Sequence, residues 1–152
     1  MLCFFVASLE SAFVVHAAQD SQGETIKCTY TAKKTWDHVG TQYTCVIDEY
    51  AIVDSPNQKF LQAPDPEVKV LVMGYNINVK YLPANTGDVF PNLIALFARN
   101  ASIEAIYKKN FDGLQNLQYI HLGSNKIRKI ANDTFRDLVS LRWLMLGMKK
   151  LL

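Results

Sequence analysis

Residues 117–138, with the sequence LQYIHLGSNKIRKIANDTFRDL, decide the fold. Their apolar positions repeat those found 24 residues earlier, and a further copy begins 24 residues later at Leu141, Leu144 and Leu146. The repeated pairs are Leu93 and Leu117, Leu96 and Ile120, Ala98 and Leu122, Ile103 and Ile127, Ile106 and Ile130, Phe111 and Phe135, and Leu114 and Leu138. A fixed period of this length is the signature of stacked coils, each of which covers the apolar face of the next. The sequence therefore predicts a solenoid.

Each coil is predicted to begin with a short strand, because Leu117 and the residues after it alternate between apolar and polar. These strands should form a parallel sheet on the concave side, and the remaining residues should return along the outside. Asn125, at the turn that leaves the strand, can satisfy backbone groups of adjacent coils that a carbon side chain could not. Ala101 holds the equivalent place one coil earlier. Phe111 and Phe135 are expected to stack on the convex side.

The spacing LxxLxLxxNxIxxIxxxxFxxL over residues 117–138 resembles the leucine-rich-repeat family, and the 24-residue period resembles its extracellular class. The resemblance extends over residues 90–152. One further irregular coil is predicted upstream, where Val68, Leu71, Met73 and Asn76 match at an offset of 25 and Val79 and Leu82 match at 24. The resemblance implies an α/β solenoid over residues 68–152, with about three and a half coils and a concave parallel β-sheet.

Residues 18–67 are predicted to form an N-terminal cap. Two β-rich runs, residues 26–31 and 41–47, flank a polar stretch that contains Gly40, which is typical of a hairpin. Such a cap would cover the apolar end of the first coil. The pattern formed by residues 27–30, Trp36 and residues 43–45, followed by residues 82–83 and 90–93, resembles small secreted leucine-rich-repeat proteins of dipteran insects.

The cysteines and the N-terminus indicate secretion. Residues 1–17 are predicted to be a cleaved signal peptide, although Glu10 and the lack of Lys or Arg before Lys27 depart from that pattern; a buried N-terminal helix or strand is the alternative. Removal of the signal takes Cys3 with it and leaves Cys28 and Cys45. We expect these two to form a disulfide that stabilises the domain by about 3 kcal/mol, the alternative being two buried free thiols.

Two glycosylation acceptors are predicted if the chain is secreted. Asn100 begins an Asn-Ala-Ser triplet and Asn132 begins an Asn-Asp-Thr triplet. The predicted localisation is extracellular.

Composition and motifs argue against several functions. The chain of 152 residues is sufficient for one domain, and a formal net charge of +2 with interspersed signs does not favour nucleic acid as the partner. Neither a membrane span nor a metal or cofactor site is predicted. His121, Ser124 and Asp133 could be imagined as a catalytic triad, but nothing in the repeat brings Asp133 beside the other two. We expect a protein that is not an enzyme.

The strand residues between the inward leucines are the candidate binding residues. Ala95, Tyr119 and Trp143 should form one row on the concave face, and Phe97, His121 and Met145 the next. Aromatic residues, Met and Arg are enriched at protein interfaces. The predicted partner-binding residues are Phe97, Arg99, Tyr119, His121, Trp143 and Met145. The alternatives are that Trp143 merely caps the last coil, or that a loop folds over the face.

The sequence thus predicts a secreted protein-binding module, and the resemblance implies recognition or adaptor work, with a link to innate immunity in insects. The predicted coil that begins at Leu141 is incomplete at Leu152, which leaves its leucines uncovered. One hypothesis is therefore that the chain forms a homo-oligomer through that open coil. The alternative is that the chain is the N-terminal piece of a larger leucine-rich-repeat receptor or adhesion ectodomain.

Overall fold

A computed structural model describes residues 26–147. The predicted signal peptide and Leu151 lie outside the described residues. One sheet contains six strands in chain order, and the return segments are irregular apart from two short helices. The elements are β1 (Cys28–Trp36), β2 (Gly40–Ile47), β3 (Val70–Val72), helix α1 (Thr86–Val89), β4 (Ala95–Phe97), a 3-10 helix (Lys108–Phe111), β5 (Tyr119–His121) and β6 (Trp143–Met145).

Strands β3 to β6 run parallel, as the repeat predicts, and β1 pairs antiparallel with β2 as the predicted hairpin. Strand β2 also pairs in parallel with β3, which the repeat did not predict. Val70 pairs with Ala95, whereas Ala95 pairs with Tyr119 and Tyr119 with Trp143. The first of these steps spans 25 residues and the other two span 24. The predicted one-residue slip in the first coil is therefore confirmed.

The core lies inside the coils, where the inward side chains of successive strands stack. Leu71 and Ile120 are wholly buried and Leu96 is 1% exposed. Burial of a Leu or Ile side chain contributes roughly 1.5–3 kcal/mol, so this column is a main source of stability. On the convex side the rings of Phe111 and Phe135 are in contact, with centroids 5.3 Å apart.

The side chains of two asparagines join neighbouring coils by hydrogen-bonding to backbone groups. Asn125 Nδ2 donates to the carbonyl oxygens of Ala98 at 2.7 Å and Leu122 at 2.8 Å, and its Oδ1 accepts from the N–H of Ile103 at 3.1 Å. Asn76 Nδ2 likewise donates to two carbonyls of the preceding segment, at 3.0 and 2.9 Å. These contacts confirm the role predicted for the Asn at the turn.

The N-terminal hairpin closes the first coil. Its two strands are linked by a disulfide between Cys28 and Cys45, the predicted pair, with Cα atoms 5.1 Å apart. Strand β2 continues into the solenoid by pairing with β3, and Ile47 is buried in the common core. Strand β1 extends beyond the predicted β-rich run and reaches Trp36. This extension carries the tip of the hairpin onto the concave side.

The opposite end of the described solenoid is open. Leu144 on β6 is 37% exposed, whereas Ile120, its neighbour in register on β5, is fully buried. Between residues 26 and 147, none of the helices has the length and apolar character needed to cross a membrane. The same residues contain no group of three His, Cys, Asp or Glu side chains placed to hold a metal ion.

Candidate functional site

Two rows of side chains cover the concave face of the sheet. The first row contains Ala95, Tyr119 and Trp143, which are neighbours in register, and the second contains Phe97, His121 and Met145. This arrangement follows from the period of two along each strand, which directs these side chains away from the leucine core. Strand β3 adds Val70 to the first row and Val72 to the second.

The first row is covered by residues 33–39 of the hairpin, which we call the hairpin arm. The indole of Trp36 lies 4.1 Å from the ring of Trp143, 6.0 Å from Phe97 and 6.2 Å from Tyr119, measured between centroids. Val39 is 6% exposed and packs with Val70 and Ala95 in a second apolar cluster. Ala95 lies in the predicted row but is fully buried beneath the arm, so over this row the alternative that a loop folds over the face describes the structure.

Local interactions direct the arm over the sheet. The pairing of β1 with β2 is irregular between Lys34 and Trp36, and such an irregularity bends a strand. The turn that follows ends at Gly40, the first residue of β2, which has a φ of 73°, a conformation that glycine adopts readily. The N–H of Val39 donates to the carbonyl of Trp36 at 3.1 Å, and Lys34 Nζ lies 2.9 Å from an Asp37 carboxylate oxygen.

A groove of about 340 Å³ remains between the hairpin arm and the second row, and we call it the concave groove. Its floor contains Val72, Phe97 and Met145, and Trp143 lies at its wall beside Trp36. Ligand sites commonly have volumes of this order and mostly apolar walls. The rigid sheet and the arm together therefore form a concave site.

Polar groups of the groove come from both walls. Lys33, Lys34 and Thr35 line it from the arm, Arg99 lines it from the turn after β4, and His121 lines it from β5. The three charged lining side chains are all cations. Thr35 Oγ1 is shielded from solvent and makes no hydrogen bond within the described part of the chain.

His121 is a neutral donor at the groove near neutral pH. Burial, followed by the nearby charge of Arg99, lowers the pKa of His121 below its ordinary value of 6.5. Its Nδ1 accepts a hydrogen bond from the N–H of Gly123 at 3.1 Å, which leaves the proton of the neutral ring on Nε2. The ring also packs edge-on against Trp143, with centroids 5.6 Å apart.

The structure brings together five of the six predicted partner-binding residues. Those lining the concave groove are Phe97, Arg99, His121, Trp143 and Met145. Tyr119 instead packs beneath Trp36 in the covered first row. The arm residues were missed by sequence reasoning, and the signal that could have found them is Trp36, a large aromatic in an otherwise polar stretch.

The two predicted glycosylation acceptors lie on the surface. Asn100 is exposed, adjoins Arg99 and has a φ of 54°, and Asn132 is also exposed. Within residues 26–147, His121 hydrogen-bonds to Gly123 and no Ser–His–Asp hydrogen-bond chain is formed around it.

Two comparisons with known proteins are relevant. Residues 91–148 match a family model described as leucine rich repeat. A chain in the crystal structure of the Drosophila melanogaster SNF/U2A′ complex is similar in structure, with a TM-score of 0.46 and 13% sequence identity. That match covers 81% of this chain and 80% of the other.

Proposed function

We propose that this chain, a solenoid with leucine-rich repeats over residues 91–148, is a noncatalytic protein-binding module. A partner protein places side chains in the concave groove. The observation that carries the proposal is the groove itself, about 340 Å³ in volume and lined by Trp, Phe and Met side chains from strands β1, β4 and β6.

The lining residues support this function because they are not needed for the leucine core. Phe97, Trp143 and Met145 point away from that core and leave part of their surface accessible. Aromatic residues, Met and Arg are the types enriched where proteins bind one another. Stacked coils hold them in place before binding, which lowers the entropy lost when a partner docks.

The module is proposed to act outside the cell. The chain has a disulfide between Cys28 and Cys45. Disulfides persist in oxidising compartments and are rare in cytosolic proteins. The acceptor Asn100 and Asn132 of the two glycosylation triplets are exposed, so glycans at both positions are compatible with the fold. A recognition or adaptor role in innate immunity, with secretion directed by residues 1–17, belongs to the same proposal.

A second candidate role rests on the open end of the solenoid. Leu144 is 37% exposed, and Ile130, Leu141 and Leu146 are only partly buried. Further coils of a larger receptor or adhesion ectodomain would cover this surface, and a second copy of the chain could do so too. A longer reading frame with more 24-residue repeats would support the ectodomain. A Leu144→Glu variant that sediments like the native protein would exclude dimerisation through this end.

The binding proposal is tested by screening the secreted protein, made multivalent, against arrayed extracellular proteins. The variant Met145→Lys places a charge on the groove floor. Its matched control is Val139→Lys, because Val139 is 82% exposed and does not line the groove. We expect a partner that binds the native protein and Val139→Lys but loses at least tenfold in affinity for Met145→Lys. Equal binding by all three proteins would contradict a role for the groove.

A further inference from the structure

We infer that the concave groove accepts an extended peptide segment of the partner in which an apolar side chain lies within a few residues of a carboxylate. This inference rests on the proposed function and specifies its partner. Three observations support it: the charges of the groove, the hydrogen-bonding groups of its walls, and the hairpin arm that covers the first row.

The charge of the groove has one sign. Lys33 contributes from the hairpin arm and Arg99 from the turn after β4, and no carboxylate is among the groove-lining residues. Neither of these two cations forms an ion pair with a carboxylate in the described part of the chain. Lys34 differs, because Asp37 neutralises it at 2.9 Å. Two uncompensated cations beside an apolar floor attract an anionic partner.

The polar uncharged groups also suit a carboxylate or a peptide carbonyl. Thr35 lines the groove, and its hydroxyl, which is shielded from solvent and has no hydrogen-bond partner among residues 26–147, can donate to an occupant once the side chain rotates toward the groove. His121 uses Nδ1 as an acceptor for Gly123, which leaves Nε2–H as a donor. An extended peptide carries unpaired carbonyl oxygens along its length, so it can use these donors in addition to the cations.

The covered first row favours a narrow occupant. Trp36 and Val39 lie over Ala95 and Tyr119, so a broad protein surface cannot lie flat on this half of the sheet. What remains is the groove bounded by the arm. Its floor of Val72, Phe97 and Met145 fits an apolar side chain, and Arg99 lies in the turn that follows β4, two residues after Phe97. A peptide with an apolar residue and a nearby acid can place the apolar side chain on this floor and the acid beside Arg99.

A random heptapeptide library displayed on phage tests the inference without assuming a partner. It is selected against the native protein, against Arg99→Glu and against Arg128→Glu, which makes the same charge change at an exposed position outside the groove. We expect the native protein and Arg128→Glu to enrich peptides with Asp or Glu near an aromatic or aliphatic residue. Arg99→Glu should bind these peptides at least tenfold more weakly, with an unchanged far-ultraviolet spectrum.

The best peptide is then synthesised with blocked termini, together with a version in which each acid is replaced by its amide. Trp36 and Trp143, which are the chain's 2 tryptophans, both line the groove, so intrinsic fluorescence reports binding. We expect the acidic peptide to bind at least tenfold more tightly than the amide version, and raised salt to reduce this difference.

Several outcomes would overturn the inference. Equal binding of the acidic and amide peptides, or selection of no peptide at all, would do so. Full displacement of the peptide by the N-acetyl form of its acidic residue would indicate a small-anion site instead. If apolar peptides without acids bind and Met145→Lys abolishes that binding, the partner chemistry is wrong but the proposed function stands. If Met145→Lys binds every selected peptide as tightly as the native protein does, the peptide inference and the proposed function of the groove are both wrong.

Discussion

The indole rings of Trp36 and Trp143 are in contact, with centroids 4.1 Å apart and planes inclined by 68°. One ring belongs to the N-terminal hairpin and the other to the last strand of the described solenoid. The cap is therefore joined to the coils in two ways, by strand pairing along the sheet and by side-chain packing across the concave face. This second contact forms one wall of the proposed binding groove.

Removal of the Trp36 side chain should release the hairpin arm. Trp36→Ala loses the contacts with Phe97, Tyr119 and Trp143, and because the ring is half-buried we expect a loss of about 2 kcal/mol in the free energy of unfolding. The fluorescence of the remaining Trp143 should shift to longer wavelength as water reaches it. Urea denaturation and emission spectra measure both effects. An unchanged spectrum would show that the arm does not cover the first row in solution.

The Asn125 side chain should contribute to coil stacking. Asn125→Ala removes the partners of two carbonyls and one N–H, each of which is costly to leave unpaired, so we expect a loss of about 2 kcal/mol. Asn116→Ala is the control, because Asn116 is exposed and its one side-chain bond, to Asn92, is long at 3.5 Å. Chemical denaturation of the two variants compares them. Equal stabilities would refute the bridging role.

The close packing of adjacent coils on the convex side should exclude any side chain at Gly87. A Cβ there would lie 2.0 Å from the carbonyl oxygen of Asp112, so the backbone of one coil must move. Gly87→Ala should lower stability by about 3 kcal/mol, in the range for overpacked sites. Gly147→Ala, where a Cβ meets nothing within 4 Å, should have little effect. Thermal unfolding of both variants tests this, and similar melting temperatures would be inconsistent with the described packing.

His121 should make stability depend on pH. Its pKa in the folded chain lies below the ordinary value of 6.5, because burial and Arg99 disfavour the charged ring. The unfolded chain therefore binds this proton first, so the folded state loses stability as the pH falls below 6.5 toward the folded pKa, and is unaffected well above it. The native melting temperature should fall more between pH 7.5 and 5.5 than that of His121→Gln. Parallel curves for the two proteins would argue against a depressed pKa.

The repeat predicted the coils well because its residues interact with their equivalents in the next coil. Leu96 and Ile120 are stacked as expected, and Asn76 and Asn125 bridge neighbouring backbones. The 24-residue frame contains no information on contacts between a coil and a segment outside the repeat. The packing of Trp36 on the concave face depends on an irregular strand and a turn within the cap, so it could not be inferred from the period.

Only the part of the candidate site that lies within the repeat was predicted. The alternation of strand residues placed Phe97 and Met145 on the concave face, where the structure has them. Lys33 and Thr35 become groove residues only because β1 extends past the disulfide-linked part of the hairpin and bends. The repeat likewise could not indicate that Val39 of the arm covers Ala95.

Photo-crosslinking tests most directly the claim that a partner binds in the concave groove. The crosslinking amino acid p-benzoylphenylalanine is placed at Met145, on the groove floor, or at Arg128, on the exposed return segment outside the groove. Each protein is irradiated with the partner found on the array. Binding in the concave groove should give a covalent complex from position 145 and none from position 128. A complex from position 128 alone would show that the partner binds outside the concave groove.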